Sequence, residues 1–211
     1  MSTVLTSLST GLVIAFTLQA GAFVYRLATS PGELHWKYIL PLVVAVLGAV
    51  THSQNIGGVM GPERWLLYAM CSASIIGSIV NHFSALYPGW PTSAWGAVFA
   101  TLLSVGLGYF IEGVTFSSLS VSLVSTGVFI LIPILLSKAV SDVSYGAETI
   151  PGVIWGLLAF WLVYPIAFFL ALFGVISLVT AAIAYGIADI FTKLITEALL
   201  VMTDKEQISP L

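Results

Sequence analysis

Charge is what this sequence has least of. Of its 211 residues only 7% are Asp, Glu, Lys or Arg, whereas 59% are apolar. A soluble domain of this size cannot cover its surface with so little charge, so the composition calls for lipid as the solvent. Cysteine is almost absent too: Cys71 stands alone, which excludes a disulfide framework. Three scattered histidines and one cysteine make no ligand set, which removes support for a conventional metal or redox enzyme. Heptads, solenoid repeats and low-complexity tails are missing as well. The net charge of -3 says little about partners, because membrane burial dominates; lipid is the expected surrounding and nucleic acid is not an expected partner.

What the chain does have is long apolar runs. A hydrocarbon core of ~30 Å needs about 20 apolar residues per helix, and glycine and proline mark the breaks between runs. The sequence divides into seven such spans, Val4–Leu27, Leu34–Gly57, Arg64–Leu86, Thr92–Ile111, Phe116–Val140, Pro151–Phe173 and Ile176–Met202. They nearly exhaust the chain, so one domain over 1–211 and a multi-pass place in the cell membrane are expected. The first span is too long, and lacks the preceding basic region, for a cleaved signal peptide.

Basic residues set the expected orientation. Setting aside Arg64 and Lys193, which lie within or at the edge of spans, Arg26, Lys37, Lys138 and Lys205 remain. With seven spans all four fall on one side, which places the N-terminus outside and the C-terminus in the cytoplasm.

The last span contains the exception to its own apolarity. In "YGIADIFTKLITEALLV", Asp189 and Lys193 stand four residues apart and share one helix face. Intramembrane charges commonly pair and face the bundle interior. One reading is that Lys193 snorkels to the nearby interface with Asp189 as its partner. The other is a covalent anchor: a desolvated lysine is a recurrent Schiff-base former with aldehydes, and a protonated Schiff base in lipid needs a carboxylate beside it.

The sixth span bears on that choice. In "FWLVYPIAFF", Trp161, Tyr164, Pro165 and Phe168 line one face, with a proline able to bend the helix. An aromatic stripe is often ordinary packing. Together with Asp-x-x-x-Lys on the next span, however, this arrangement resembles the microbial rhodopsins. The resemblance covers all seven spans in layout. It implies an all-α seven-helix membrane bundle whose cofactor is retinal, bound covalently as a protonated Schiff base on Lys193 with Asp189 as counterion. By the same resemblance Trp161, Tyr164, Pro165 and Phe168 form one wall of the pocket, Tyr68 sandwiches the chromophore, and Ser72, Ile75 and Thr192 contribute further contacts. The Thr192 hydroxyl would favour shorter wavelengths. A homo-oligomer, trimer or pentamer, is also implied.

The third span, "ERWLLYAMCSASIIGS", separates the branches of that family. Arg64 matches the family's arginine at the extracellular start of this helix. Leu67 falls where outward proton pumps hold a carboxylate acceptor, Cys71 where they hold a threonine, and Ser78 where they hold a cytoplasmic proton donor. The wording is similar to heliorhodopsins, but that group has glutamate at the position of Leu67, the opposite orientation, and no aspartate at the position of Asp189. The schizorhodopsin group is a closer match, with an apolar acceptor position and a sole counterion in the seventh helix. Ser78 departs from that group, which has a glutamate there for inward proton transport. "GYFIEG", Gly108 to Gly113, is similar to a proteorhodopsin ending.

These features lead to an expected light-driven ion transporter, moving protons inward, rather than an enzyme that turns over a substrate. A sensory photoreceptor acting through a separate partner is the alternative. An anion pump ranks third, since Leu67 has no hydroxyl to bind the ion. Glu197, one turn beyond Lys193, is read as an interfacial carboxylate in water or as a proton-path step with Cys71 and Ser78. His35, His52 and His82 are expected at the interfaces, and Glu63 and Glu112 in extracellular loops.

Overall fold

A computed structural model of the chain describes residues 3–29, 35–57, 64–86, 91–113, 118–143 and 149–202. Each apolar run forms helix, because in lipid a segment must satisfy its own backbone N–H and C=O groups. The elements are α1 (Thr3–Thr29), α2 (His35–Gly57), α3 (Arg64–Leu86), α4 (Trp95–Gly106) after a 3₁₀ turn at Thr92–Ala94, α5 (Gly108–Gly113), α6 (Ser118–Val143), α7 (Thr149–Trp161), α8 (Val163–Leu172), α9 (Leu178–Asp189), a π-helical segment (Ile190–Ile195) and α10 (Thr196–Met202). They compose seven helices long and apolar enough to cross a membrane, so the protein is multi-pass. The span limits agree with the sequence reading to within a few residues at most ends; Leu34, Glu63 and Lys205 lie outside the described residues.

Three spans are interrupted, two of them beside a glycine or a proline. Between α4 and α5, a Cβ on Gly108 would lie 2.3 Å from the Trp65 ring, so this close approach requires glycine. Between α7 and α8, Pro165 has no N–H to offer the carbonyl of Trp161, and the helix breaks at Leu162. The third interruption, the π-helical segment, lies at Lys193. After α8, Gly174 adopts a φ of 71° and Val175 N–H reaches back to the Leu170 carbonyl at 2.8 Å. This left-handed cap ends the helix, and the Ser177 hydroxyl then accepts from Thr180 N–H at 3.0 Å to start α9.

The helices pack in a ring in which α1 lies along α2, α2 along α3, α3 along α4, α4 along α6, α8 along α9, and α9 returns to α1. Lipid gives little hydrophobic drive between helices, so close packing and small residues carry the association. Gly48 lets α2 approach Phe16, and Gly186 lets α9 approach Leu8, each at 2.8 Å from a would-be Cβ. Span three is the most enclosed: 61% of its most apolar stretch is buried, against 17–39% for the others. Ile75, Ile76, Ile79 and Val80 of α3 meet Ile132, Leu136, Leu157 and Trp161 in the main core. A second cluster joins Leu12, Phe16 and Phe23 of α1 to Tyr38 and Ala45 of α2. Large exposed side chains such as Leu18, Phe99, Leu123 and Phe173 cover the outside, as a lipid-facing surface requires.

Candidate functional site

The last span brings its two charges into contact. Lys193 Nζ lies 2.7 Å from Asp189 Oδ1, and both residues are 1% exposed. The reading of Lys193 as a lysine that snorkels to the interface therefore fails. Its helix is locally π-wound: the Thr196 hydroxyl donates to the Phe191 carbonyl five residues back at 2.9 Å, and Gln19 Nε2 of α1 donates to the Leu194 carbonyl at 2.9 Å. A π-turn upsets the regular carbonyl pairing, and such turns recur at functional sites. Here side chains of α1 and α10 take part in satisfying it.

Asp189 is held from three directions. Lys193 occupies Oδ1, where the Tyr164 hydroxyl of α8 also donates. His52 Nε2 of α2 lies 2.9 Å from Oδ2. Tyr164 also sits 2.9 Å from the Thr192 hydroxyl, which donates to the Ala188 carbonyl at 2.9 Å. A carboxylate can only accept, so the partners facing it present protons and the His52 tautomer with the proton on Nε2 is selected. The pair is buried, so its charges offset each other only as long as both remain.

Beside the pair opens a cavity of about 730 Å³ that reaches Lys193, a size ordinary for a small-molecule site. Trp161, Tyr164, Pro165 and Phe168 form one wall, and Tyr68 and Ser72 of α3 form another. Lys193 Nζ stands 5.4 Å from the Tyr68 ring centroid, a cation–π arrangement. Trp65 closes against Phe168, edge to face at 6.1 Å. Ser104, Ser122, Ser125 and Thr126 add hydroxyls to the lining.

Several expectations need correction. His52 is not interfacial: it is 2% exposed and its ring stacks on Phe16 at 5.8 Å. Helix α2 carries it inward because Gly48, one turn earlier, admits the Phe16 ring that supports it. His82 is also buried, against Phe83. Glu197 is 0% exposed, which rules out a carboxylate in interfacial water. It approaches Ser78 across the contact of α10 with α3, and neither side chain has full hydrogen-bond geometry with a described group. Ile75 packs in the core and does not line the cavity. Thr192 likewise turns to Tyr164. Cys71 is buried with its thiol 3.7 Å from the Val44 carbonyl. Arg64 opens α3, and its side chain, like those of His35 and Glu112, lies outside the described residues.

Sequence reasoning missed His52, Trp65, Phe129 and Tyr185, all of which line the cavity or touch Asp189. A signal for His52 was present. It sits five residues inside a span with Asn55 three residues later, and the rule that an intramembrane ionisable group is functional until shown otherwise applied to it as well. Among the described residues no cluster of His, Cys, Asp and Glu could hold a metal ion.

No protein-family model matches the chain, and no curated protein matches it. Solved structures do. The light-driven proton pump of Coccomyxa subellipsoidea superposes with a TM-score of 0.80 at 17% identity, covering 97% of this chain and 98% of that one. Halorhodopsin, a light-driven chloride pump, gives 0.80 at 17% identity over 98% and 97%. A cyanorhodopsin from the cyanobacterium Tolypothrix sp. gives 0.79 at 16% identity over 99% and 98%. With near-complete coverage of both chains in each case, this protein has the all-helical, seven-helix fold of the microbial rhodopsins.

Proposed function

We propose that the whole chain, 1–211, is one retinal-binding domain that moves protons inward across the cell membrane in response to light, with its N-terminus outside. The observation that carries this reading is a buried amine, Lys193, paired with Asp189 at an aromatic cavity within a rhodopsin fold. The cavity suits a long, apolar, flat ligand: aromatic rings form its walls, and the only lysine among its lining residues can form an imine with an aldehyde. Bound there, retinal supplies a light-driven isomerisation that reorients the charged nitrogen. The rest is work for the protein's own groups.

Asp189 holds the positive charge on the Lys193 nitrogen and stays ionised, because His52, Tyr164 and Lys193 all present protons to it. Leu67 leaves no acid on α3 at the outward acceptor position. Cys71, Ser78 and Glu197 are buried polar groups, and in this reading a proton leaving the nitrogen moves inward past them. Arg64, at the start of α3, organises charge outside Asp189. In this reading Asp189 is the sole carboxylate counterion, and its combination with the apolar Leu67 supports a kinship nearest the schizorhodopsins, with third-helix wording similar to heliorhodopsins. Among the solved structures proton and chloride pumps share the fold; Leu67, unable to hydrogen-bond a halide, favours protons.

The test is a light-induced pH change in cells making the protein with added retinal. Inward transport alkalinises the medium and a protonophore abolishes the signal; acidification overturns the direction, and no change leaves photoreception. Lys193→Ala should fold yet stay colourless. A visible band in that variant defeats the assignment of the lysine.

A further inference from the structure

Three hydroxyls gather on one face of α6. Ser122, Ser125, Thr126 and Phe129, at spacings of three, one and three, all line the cavity, so a single helix face presents them. Elsewhere on α6 the side chains of Leu119, Leu123 and Ile130 are exposed, as lipid requires. Ser104 of α4 adds a fourth hydroxyl to the lining. In the ring of helices the span of α7 and α8 stands between α6 and the span that carries Lys193, and α4 lies farther round. The cavity therefore holds an amine at one end and hydroxyls at the other, with aromatic walls between them.

Helix association accounts for part of this cluster. Ser104 donates to the Ser125 carbonyl at 2.9 Å and Ser125 to the Ser104 carbonyl at 2.7 Å, which clamps α4 to α6. Thr126 takes no part in that clamp and donates to the Ser122 carbonyl of its own helix at 2.8 Å. With these three protons committed to the backbone, what the hydroxyls offer a ligand is oxygen lone pairs. A hydrocarbon end would leave those lone pairs unmatched in a dry site, whereas an O–H would bond to them.

We propose that the ligand of this cavity carries a hydroxyl at the end opposite its aldehyde, a ring-hydroxylated retinal rather than the plain hydrocarbon. This rests on the reading of Lys193 as the aldehyde's anchor, and it adds the groups that recognise the other end. Selectivity follows from the donors. An alcohol supplies the proton that the serine and threonine oxygens accept. A ring ketone brings only a further acceptor, and the protons of Ser104, Ser125 and Thr126 are already spent.

The test offers limiting retinal-free protein an equimolar mixture of all-trans-retinal and its 3-hydroxy derivative. Bound aldehydes are released with hydroxylamine and counted by chromatography. The hydroxylated aldehyde should be retained in about threefold to tenfold excess; parity, or an excess of retinal, overturns the proposal. The 4-oxo derivative should compete no better than retinal, and a gain equal to the alcohol's overturns it too. Thr126→Val, close in shape and outside the clamp, should bring the two aldehydes nearer parity. A preference undiminished both there and in Ser125→Ala removes these hydroxyls from recognition, and the proposal falls. Lys193→Ala separates this inference from the one beneath it. That variant forms no imine, but its cavity should still bind both aldehydes, read as quenching of tryptophan emission, since Trp65 and Trp161 line it. Failure of the parent to form pigment with either aldehyde strikes Lys193 as the anchor, and the quenching then decides alone. The hydroxylated aldehyde should half-quench at a concentration about threefold to tenfold lower than retinal; equal concentrations overturn the proposal.

Discussion

His52 and Asp189, 137 residues apart in the chain, meet at 2.9 Å in the buried centre of the bundle. The contact ties α2 to α9 through a carboxylate that Lys193 and Tyr164 also engage. Four side chains from three spans therefore share one negative charge, and changes to any of them should register at the others.

Asp189→Asn removes the only carboxylate in contact with Lys193 among the described residues. Breaking a buried pair by deleting one partner costs about 3–5 kcal/mol, equivalent to a hundredfold or more in population. With retinal bound, the protonated, visibly absorbing form should fall to a small fraction at neutral pH. Absorption spectroscopy of the purified variant checks this, and an unchanged visible band assigns the counter-charge elsewhere.

Glu197→Gln keeps the shape of a side chain that is 0% exposed but removes its acid. If the inward route uses Glu197, light-driven alkalinisation should drop by about tenfold or more, with the dark spectrum little changed. Parent-like transport takes Glu197 off the route and leaves Cys71 and Ser78.

Gly108→Ala should be the more damaging of two glycine changes. Its Cβ would sit 2.3 Å from the rigid Trp65 indole, whereas that of Gly186 meets the movable end of Leu8 at 2.8 Å. Overpacking costs about 1–3 kcal/mol, so Gly108→Ala should melt well below the parent and also disturb the cavity that Trp65 lines. Gly186→Ala should melt closer to the parent. Thermal melts in one detergent compare the two, and the reverse order would mean that the indole yields.

Gln19→Leu strips the Leu194 carbonyl of the side chain that reaches it from α1. Losing a hydrogen bond to a group in the bundle costs roughly 1–3 kcal/mol. Stability should fall by that amount, and the visible band should shift because the π-turn carries Lys193. A shift without a stability loss would separate the two roles.

The element pattern was legible in the sequence because lipid permits few solutions: a run of about 20 apolar residues must be helix. Arg64–Leu86 agrees at both ends, and Asp189 with Lys193 was readable as one face from spacing alone. Trp161, Tyr164, Pro165 and Phe168 share one wall of the cavity because helical periodicity puts them there. The π-turn at Ile190–Ile195 was not legible, since the carbonyl of Leu194 is satisfied by Gln19 from another helix. Nor was the burial of Glu197, which depends on α3 standing beside α10. His52 shows the boundary most plainly. The sequence by itself determined that a histidine lies five residues inside the second span. Only the tertiary structure decided that it points at Asp189 rather than at an interface, because that depends on how α2 is rotated against α1 and α9. Phe16, admitted over Gly48, sets the packing on the α1 side, and spacing within one helix carries no information about that rotation.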